Sequence, residues 1–306
     1  MEREFPQLVI PLTGNITDDQ ECRKHAENII KAFMRMSRED QEEYMKLHNN
    51  YNEDIENWSE RMRFYHQSLM RATNGMAFPG IAKEKEKVWA INNTNGFSNG
   101  VYLKMSRFNH SCQPNTEHFW NDETNTLDLR AVRKIRRGQE ITLKYNNMLE
   151  PRDIRRTELK ETFNFACSCQ ACDLTEEEVR NETKVITEYQ EERKRHMDFK
   201  QASSSVSGTT AQVFMKSEAN CLKEMYKIAK EIRIINRKTI LFEIVEEAFG
   251  VSLQGGARAN TRIAGADWRK DTRMFANIGH VIAKTLFGEE HSETKKWRAR
   301  SDVFQI

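Results

Sequence analysis

Three cysteines, Cys167, Cys169 and Cys172, stand within six residues as C-x-C-x-x-C. Thiols spaced this closely can converge on one ion, and a structural zinc takes four ligands, thiolates prominent among them. The fourth ligand must come from elsewhere in the chain, which has six cysteines in all. Cys112 is the best candidate, because it stands in a polar loop just before Pro114. Cys22 and Cys221 fall on apolar faces of predicted helices and read as buried small hydrophobes. The plain alternative is a set of reduced thiols without metal. An iron–sulfur cluster lacks its usual spacings.

Those cysteines must be positioned by the elements around them. Thr17 followed by Asp18, Asp19 and Gln20 predicts a helix start, and Cys22, Ala26, Ile29, Ile30 and Phe33 recur at helical spacing. Ser37 and Asp40 predict a capped, charged helix to about His48. Helical spacing returns over 54–72, before a loop punctuated by Gly75, Pro79 and Gly80. From residue 86 the pattern changes. Val88 and Ile91 suggest a short helix, and Val101–Leu103 an extended segment. The alternating runs Leu127-Leu129-Ala131 and Ile141-Leu143-Tyr145, with Gly138 between them, predict short strands joined by a turn. Pro151 opens a helix with Ile154 and Leu159 on its inner face. A charged helix over 176–200 follows. Serine and threonine from Gln201 to Thr210 read as a flexible linker. Beyond it, three apolar faces predict packed helices: Val213 to Ile232, Ile240 to Phe249 and Phe275 to Phe287, the last ending at Gly288.

Composition removes whole classes of function. At 306 residues the chain can bury a core without disulfides. Its 48 basic and 46 acidic residues leave a net charge of +2, which makes no overall case for nucleic acid or an anionic membrane. Basic runs at Arg130, Arg133, Lys134, Arg136 and Arg137, and at Lys295, Lys296, Arg298 and Arg300, read as solvated faces. No apolar stretch approaches the ~20 residues of a membrane span. The acidic start Met1-Glu2-Arg3-Glu4 is unlike a secretory signal. A cytoplasmic or nuclear, reducing location is expected.

The most informative peptide is Asn109-His110-Ser111-Cys112-Gln113-Pro114-Asn115. Gly138-Gln139-Glu140-Ile141-Thr142-Leu143-Lys144-Tyr145 and Phe163-Asn164-Phe165-Ala166-Cys167-Ser168-Cys169-Gln170-Ala171-Cys172 follow it. This ordered trio resembles the SET-domain protein lysine methyltransferases, and among them the SMYD-type branch. The resemblance implies an α+β fold: an N-terminally incomplete SET domain over 1–150 with a helical insertion at about 16–87. It further implies a post-SET zinc-binding segment over 151–175, a charged helix and linker over 176–210, and a tetratricopeptide-like helical domain over 211–306. The implied reaction is transfer of a methyl group from S-adenosylmethionine to a lysine amine of a protein substrate, histone or non-histone. The resemblance implies roles in turn. Tyr145 is the catalytic tyrosine. Asn95, Asn109, His110, Phe163 and Phe165 hold the cofactor. Cys112, Cys167, Cys169 and Cys172 bind structural zinc.

Two features of that family have no counterpart. None of the 13 glycines is spaced as Gly-x-Gly, the pattern such enzymes carry near the N-terminus where backbone approaches the cofactor. After four cysteines are assigned to one site, too few remain for a MYND zinc module. The chain is therefore expected to begin just inside the domain and to leave a sheet edge uncovered. A non-catalytic, zinc-stabilised interaction protein is the alternative reading.

Overall fold

Strands here are short because the β-forming runs are short: few exceed three residues before a glycine, proline or charged cluster intervenes. The computed structural model describes residues 2–4, 19–49, 63, 67, 82–97, 100–147, 149–232, 237–257 and 267–304. Strand β1 is Glu2–Glu4, β2 Gly96–Phe97, β3 Gly100–Val101, β4 Asn109–His110, β5 Thr116–Asn121, β6 Thr126–Ala131 and β7 Thr142–Leu143. Three small sheets result, ordered β1-β6-β5, β2-β3 and β4-β7.

The β5–β6 hairpin was not legible as such. Thr116 pairs with Ala131 and Asn121 with Thr126, around a turn in which Asn125 sits at φ 54°, a conformation asparagine tolerates well. Asn121 stabilises that turn by accepting from the amides of Glu123 and Thr124. On the other edge β1 pairs antiparallel with β6, Glu2 opposite Leu129. The two alternating runs, expected as short strands joined by a turn, belong to different sheets. The first is β6. The second contributes β7, which runs parallel to β4. Gly138, at φ +80°, turns the chain between them. The extended reading of Val101–Leu103 holds only at Val101, since the chain then winds into a 3-10 turn over Met105–Arg107.

Helices α1 (Asp19–Phe33), α2 (Arg38–Tyr44) and α3 (Ala82–Asn95) precede and flank these strands. Ala26, Ile29 and Phe33 pack with Tyr44, Val88 and Ile91 in one core. Ser37 caps α2 by accepting the Asp40 amide. The helix expected over 54–72, the loop at Gly75, Pro79 and Gly80, and the side chain of Cys22 lie outside the described residues.

Helix α4 (Arg152–Phe163) leads to the cysteines, and five helices follow: α5 (Glu176–Ser204), α6 (Gly208–Glu231), α7 (Arg237–Ala257), α8 (Trp268–Phe287) and α9 (Ser292–Val303). Each packs on its neighbour in sequence, as expected of a helical-hairpin array. The linker reading is wrong. Residues 201–204 finish α5, Gly208 begins α6, and only Ser205–Ser207 connect them. The hydroxyls of Ser203, Ser204 and Ser205 bond back to carbonyls three or four residues earlier, so serine closes the helix here rather than dissolving it. Val213, expected to face inward, is 50% exposed. The other faces converge on Leu222, Val245, Phe275, Leu286 and Trp297. Phe119 of β5 packs edge-on against Phe287 at 4.5 Å, joining sheet and helices. Among the described residues no helix is long and apolar enough to cross a membrane.

Candidate active site and metal centre

Strands β4 and β7 carry the chemistry. Their parallel register sets Asn109 beside Thr142 and His110 beside Leu143. Asn115 holds the pair in place. Its side-chain oxygen accepts the Thr142 amide at 2.9 Å, and its side-chain nitrogen donates to the Glu140 carbonyl at 2.7 Å. Thr116 adds a bond to the Thr142 carbonyl. Sequence reasoning quoted Asn115 in its heptapeptide but assigned it nothing. Its signal was burial of a polar side chain inside a motif, which only the fold reveals.

Tyr145 follows β7. Its backbone amide donates to His110 Nδ1 at 3.1 Å, and its hydroxyl donates to the Phe108 carbonyl at 2.5 Å. Burial chiefly, and Glu140 secondarily, push its hydroxyl up to about 12, so it is neutral at physiological pH. Three rings surround it: His110 at 5.3 Å, Phe163 at 4.9 Å and Phe165 at 6.4 Å between centroids. Phe165 also lies 5.9 Å from His110. Residues from three separated motifs thus share one aromatic corner. Asn109 is exposed and donates to Glu140 at 2.6 Å. Asn95 is placed differently. Its side-chain amide is spent on the carbonyls of His48 and Ile91, and its own carbonyl accepts from Ser106, in the turn leading to Asn109.

Helix α4 ends at Asn164, which adopts a left-handed φ of 56° and redirects the chain into the cysteines. Cys112, Cys167, Cys169 and Cys172 then bring their sulfurs within 4.8 Å of one another. The sulfurs of Cys112 and Cys172, 60 positions apart, are separated by 3.5 Å. Tetrahedral zinc–thiolate bonds of about 2.3 Å put sulfurs about 3.7 Å apart, so the donor set fits a structural zinc. The thiols are also unequal. Hydrogen bonding with Cys167 leads in driving Cys112 far up. Bonding with Cys112 drives Cys167 far down and takes Cys169 down to about 5. Without a cation the four sulfurs thus compete for protons, and zinc would take all four as thiolates, Cys112 included. Leu159, Phe163 and Phe165 pack on this cluster, with Tyr145 against the same core.

Two supports were missed. Arg155, fully buried, donates to the carbonyls of Glu150 and Ala171 and pairs with Glu182 at 2.8 Å. It thereby ties α4 and α5 to the cysteine segment. The inner face of α4 is Arg155 and Leu159, whereas Ile154 is 54% exposed. An arginine on a core face is invisible to a search for apolar spacing. Lys144 pairs with the nearly buried Glu117 at 3.0 Å, and Thr239 of α7 also reaches Glu117. The segment from β7 to Tyr145 is thus tied, through Glu117, to the helical array.

Residues 7–146 match the SET domain family model. The chain is 37% identical over 81 residues to the histone-lysine N-methyltransferase set5 of Schizosaccharomyces pombe, covering 26% of this chain and 25% of that protein. It is 42% identical over 73 residues to the histone-lysine N-methyltransferase SMYD3 of Mus musculus, covering 24% and 17% respectively. A longer match, 27% identical over 178 residues, reaches the N-lysine methyltransferase SMYD2-B of Xenopus laevis and covers 55% of this chain and 39% of that one. The matched stretches span well under half of each relative's own length. Residues 7–146 thus match a SET domain, and over part of its length the chain is similar to proteins named as lysine methyltransferases. The similarity is to SMYD-type proteins among others, and the chain has a cysteine cluster able to hold zinc and a helical C-terminal region.

Proposed function

We propose that this chain transfers a methyl group from S-adenosylmethionine to the side-chain amine of a protein lysine, histone or non-histone. The convergence of Tyr145, His110, Phe163 and Phe165 on one corner beside the ends of β4 and β7 carries this reading. When bound, the cofactor supplies an electron-poor methyl on a sulfonium. Phe165, with Phe163 as a neighbouring pocket aromatic, offers a face on which a nucleoside ring packs, and Asn109 and the backbone of His110 offer polar groups its amino-acid tail requires. The reaction needs a neutral amine, and an aromatic lining disfavours the ammonium form of lysine. Tyr145 is not a base. Its hydroxyl proton goes to the Phe108 carbonyl, which leaves only oxygen lone pairs to orient the methyl and amine. Alignment of this kind can lower a barrier by several kcal/mol.

We read Cys112, Cys167, Cys169 and Cys172 as the ligands of one structural zinc, which holds the Phe163–Phe165 segment against the core. Asn95 acts through the segment it braces, since its amide is engaged inside the fold. The helical array over 208–303 is a surface for protein partners, and the location is cytoplasmic, nuclear or both. Calorimetric titration of S-adenosylmethionine into the zinc-loaded chain, followed by labelled-methyl transfer to histone and non-histone pools, tests the proposal. Binding with label on lysine is expected. A folded, zinc-loaded chain that binds no cofactor would assign it to the non-catalytic scaffold reading.

A further inference from the structure

His110 makes two contacts that differ in kind. Its Nδ1 accepts the Tyr145 backbone amide at 3.1 Å. An amide donor leaves that nitrogen no room for a proton, so in the neutral ring the proton is on Nε2. Nε2 lies 3.3 Å from Cys112 Sγ. A metal-bound thiolate only accepts hydrogen bonds, so it demands the same tautomer that the Tyr145 amide selects. The two contacts reinforce one another across a single rigid ring.

We propose that His110 is a positioning residue that couples the metal centre to Tyr145: its Nε2–H donates to the Cys112 thiolate while its Nδ1 holds the Tyr145 backbone. This adds a second role to the one implied by the Asn109-His110 motif. It rests on the reading of the four cysteines as a zinc site and of Tyr145 as the catalytic tyrosine. Donation to a thiolate withdraws charge from sulfur and orients it, and losing such an outer contact typically weakens metal binding by about 10- to 100-fold. Through the same ring, the metal centre helps fix where the strand after β7 presents the tyrosine.

Two variants separate the contacts by shape. In His110→Gln the side-chain amide reaches the Nε2 position and can still donate to Cys112, but nothing accepts from Tyr145. In His110→Asn the side-chain oxygen stands near the Nδ1 position and can accept from Tyr145, but nothing donates to Cys112. With the full chain, zinc release to a chelator, the charge-transfer band of the cobalt-substituted protein and hydrogen exchange of the Tyr145 amide are read together. His110→Asn is expected to release zinc about 10- to 100-fold faster and shift the cobalt band, with Tyr145 protected. His110→Gln should keep zinc and expose the Tyr145 amide. Nitrogen NMR of ring-labelled wild-type protein needs no variant to fold, and should show a protonated Nε2 and a bare Nδ1. The opposite tautomer, or two variants with wild-type zinc release and wild-type Tyr145 exchange, overturns the coupling. Wild-type chain that takes up no cobalt at its cysteines overturns the zinc reading as well, a result distinct from cobalt uptake that is indifferent to His110.

Discussion

The hydroxyl of Tyr145 donates to the carbonyl of Phe108 across 2.5 Å, tying the second residue after β7 to the residue before β4. The bond links the ends of two strands that already pair in parallel. Burial, with Glu140 nearby, keeps the phenol un-ionised, and the bond leaves its oxygen lone pairs free to accept.

Tyr145→Phe should therefore keep the ring packing against Phe163 while removing the oxygen. Cofactor affinity should change little, and methyl transfer should fall by about 100-fold or more. Parallel calorimetry and single-turnover transfer check this. Unchanged turnover would remove Tyr145 from the reaction.

Cys169→Ser removes one of four sulfurs and leaves the rest short of a full coordination shell. Bound zinc should fall from one per chain toward none, and the 163–172 segment should become sensitive to protease. Metal analysis and limited proteolysis report both. Retained zinc and retained resistance would count against the ligand assignment.

Arg155→Met leaves Glu182 buried without its cation. Burial already raises the Glu182 carboxyl, and Arg155 opposes that rise. The loss should cost about 3–5 kcal/mol in denaturant unfolding. Adding Glu182→Leu should recover much of it, because the penalty is for the orphaned charge. A double variant no more stable than the single one would contradict this account.

Two helical glycines predict opposite signs. A Cβ at Gly279 would collide with the Trp297 ring at Cε3, and Trp297 is fully buried. Gly279→Ala should destabilise by about 1–3 kcal/mol. Nothing stands within 4 Å of a Cβ at Gly250, so Gly250→Ala should stabilise by up to about 1 kcal/mol. Thermal unfolding of the pair decides it.

Tyr44 gives an alkaline limit. Its buried hydroxyl donates to the Val88 carbonyl at 2.8 Å, and burial raises its ionisation well above the ordinary value of 10.0. The folded state thus holds a proton that the unfolded chain gives up near pH 10. Stability from this source is full below about pH 10 and declines as pH climbs further. Denaturant midpoints at pH 8, 9.5 and 11 should fall in wild type, and fall less steeply in Tyr44→Phe.

The sequence alone was enough for the clustering of the four cysteines, the family resemblance and the existence of most helices. The cysteine spacing is a local pattern, and so are caps such as Ser37 with Asp40 and apolar faces such as Phe275 to Phe287. Local patterns survive because the interactions behind them span a few residues. Even the choice of Cys112 over Cys221 was available, since polar loop and apolar helix differ within a short window. Which strands pair was not available. β7 could lie beside β6 or β4, and two-residue strands carry too little side-chain pattern to set a partner. Asn115 decides it through bonds to Glu140 and Thr142, across some 25 residues of chain. Arg155 on a buried face, Asn95 turned inward, and a serine-rich segment completing a helix share one cause. Each is a polar group whose partner is brought to it only by the tertiary fold. The same holds for His110, whose tautomer is set by an amide 35 positions away and a sulfur two positions away.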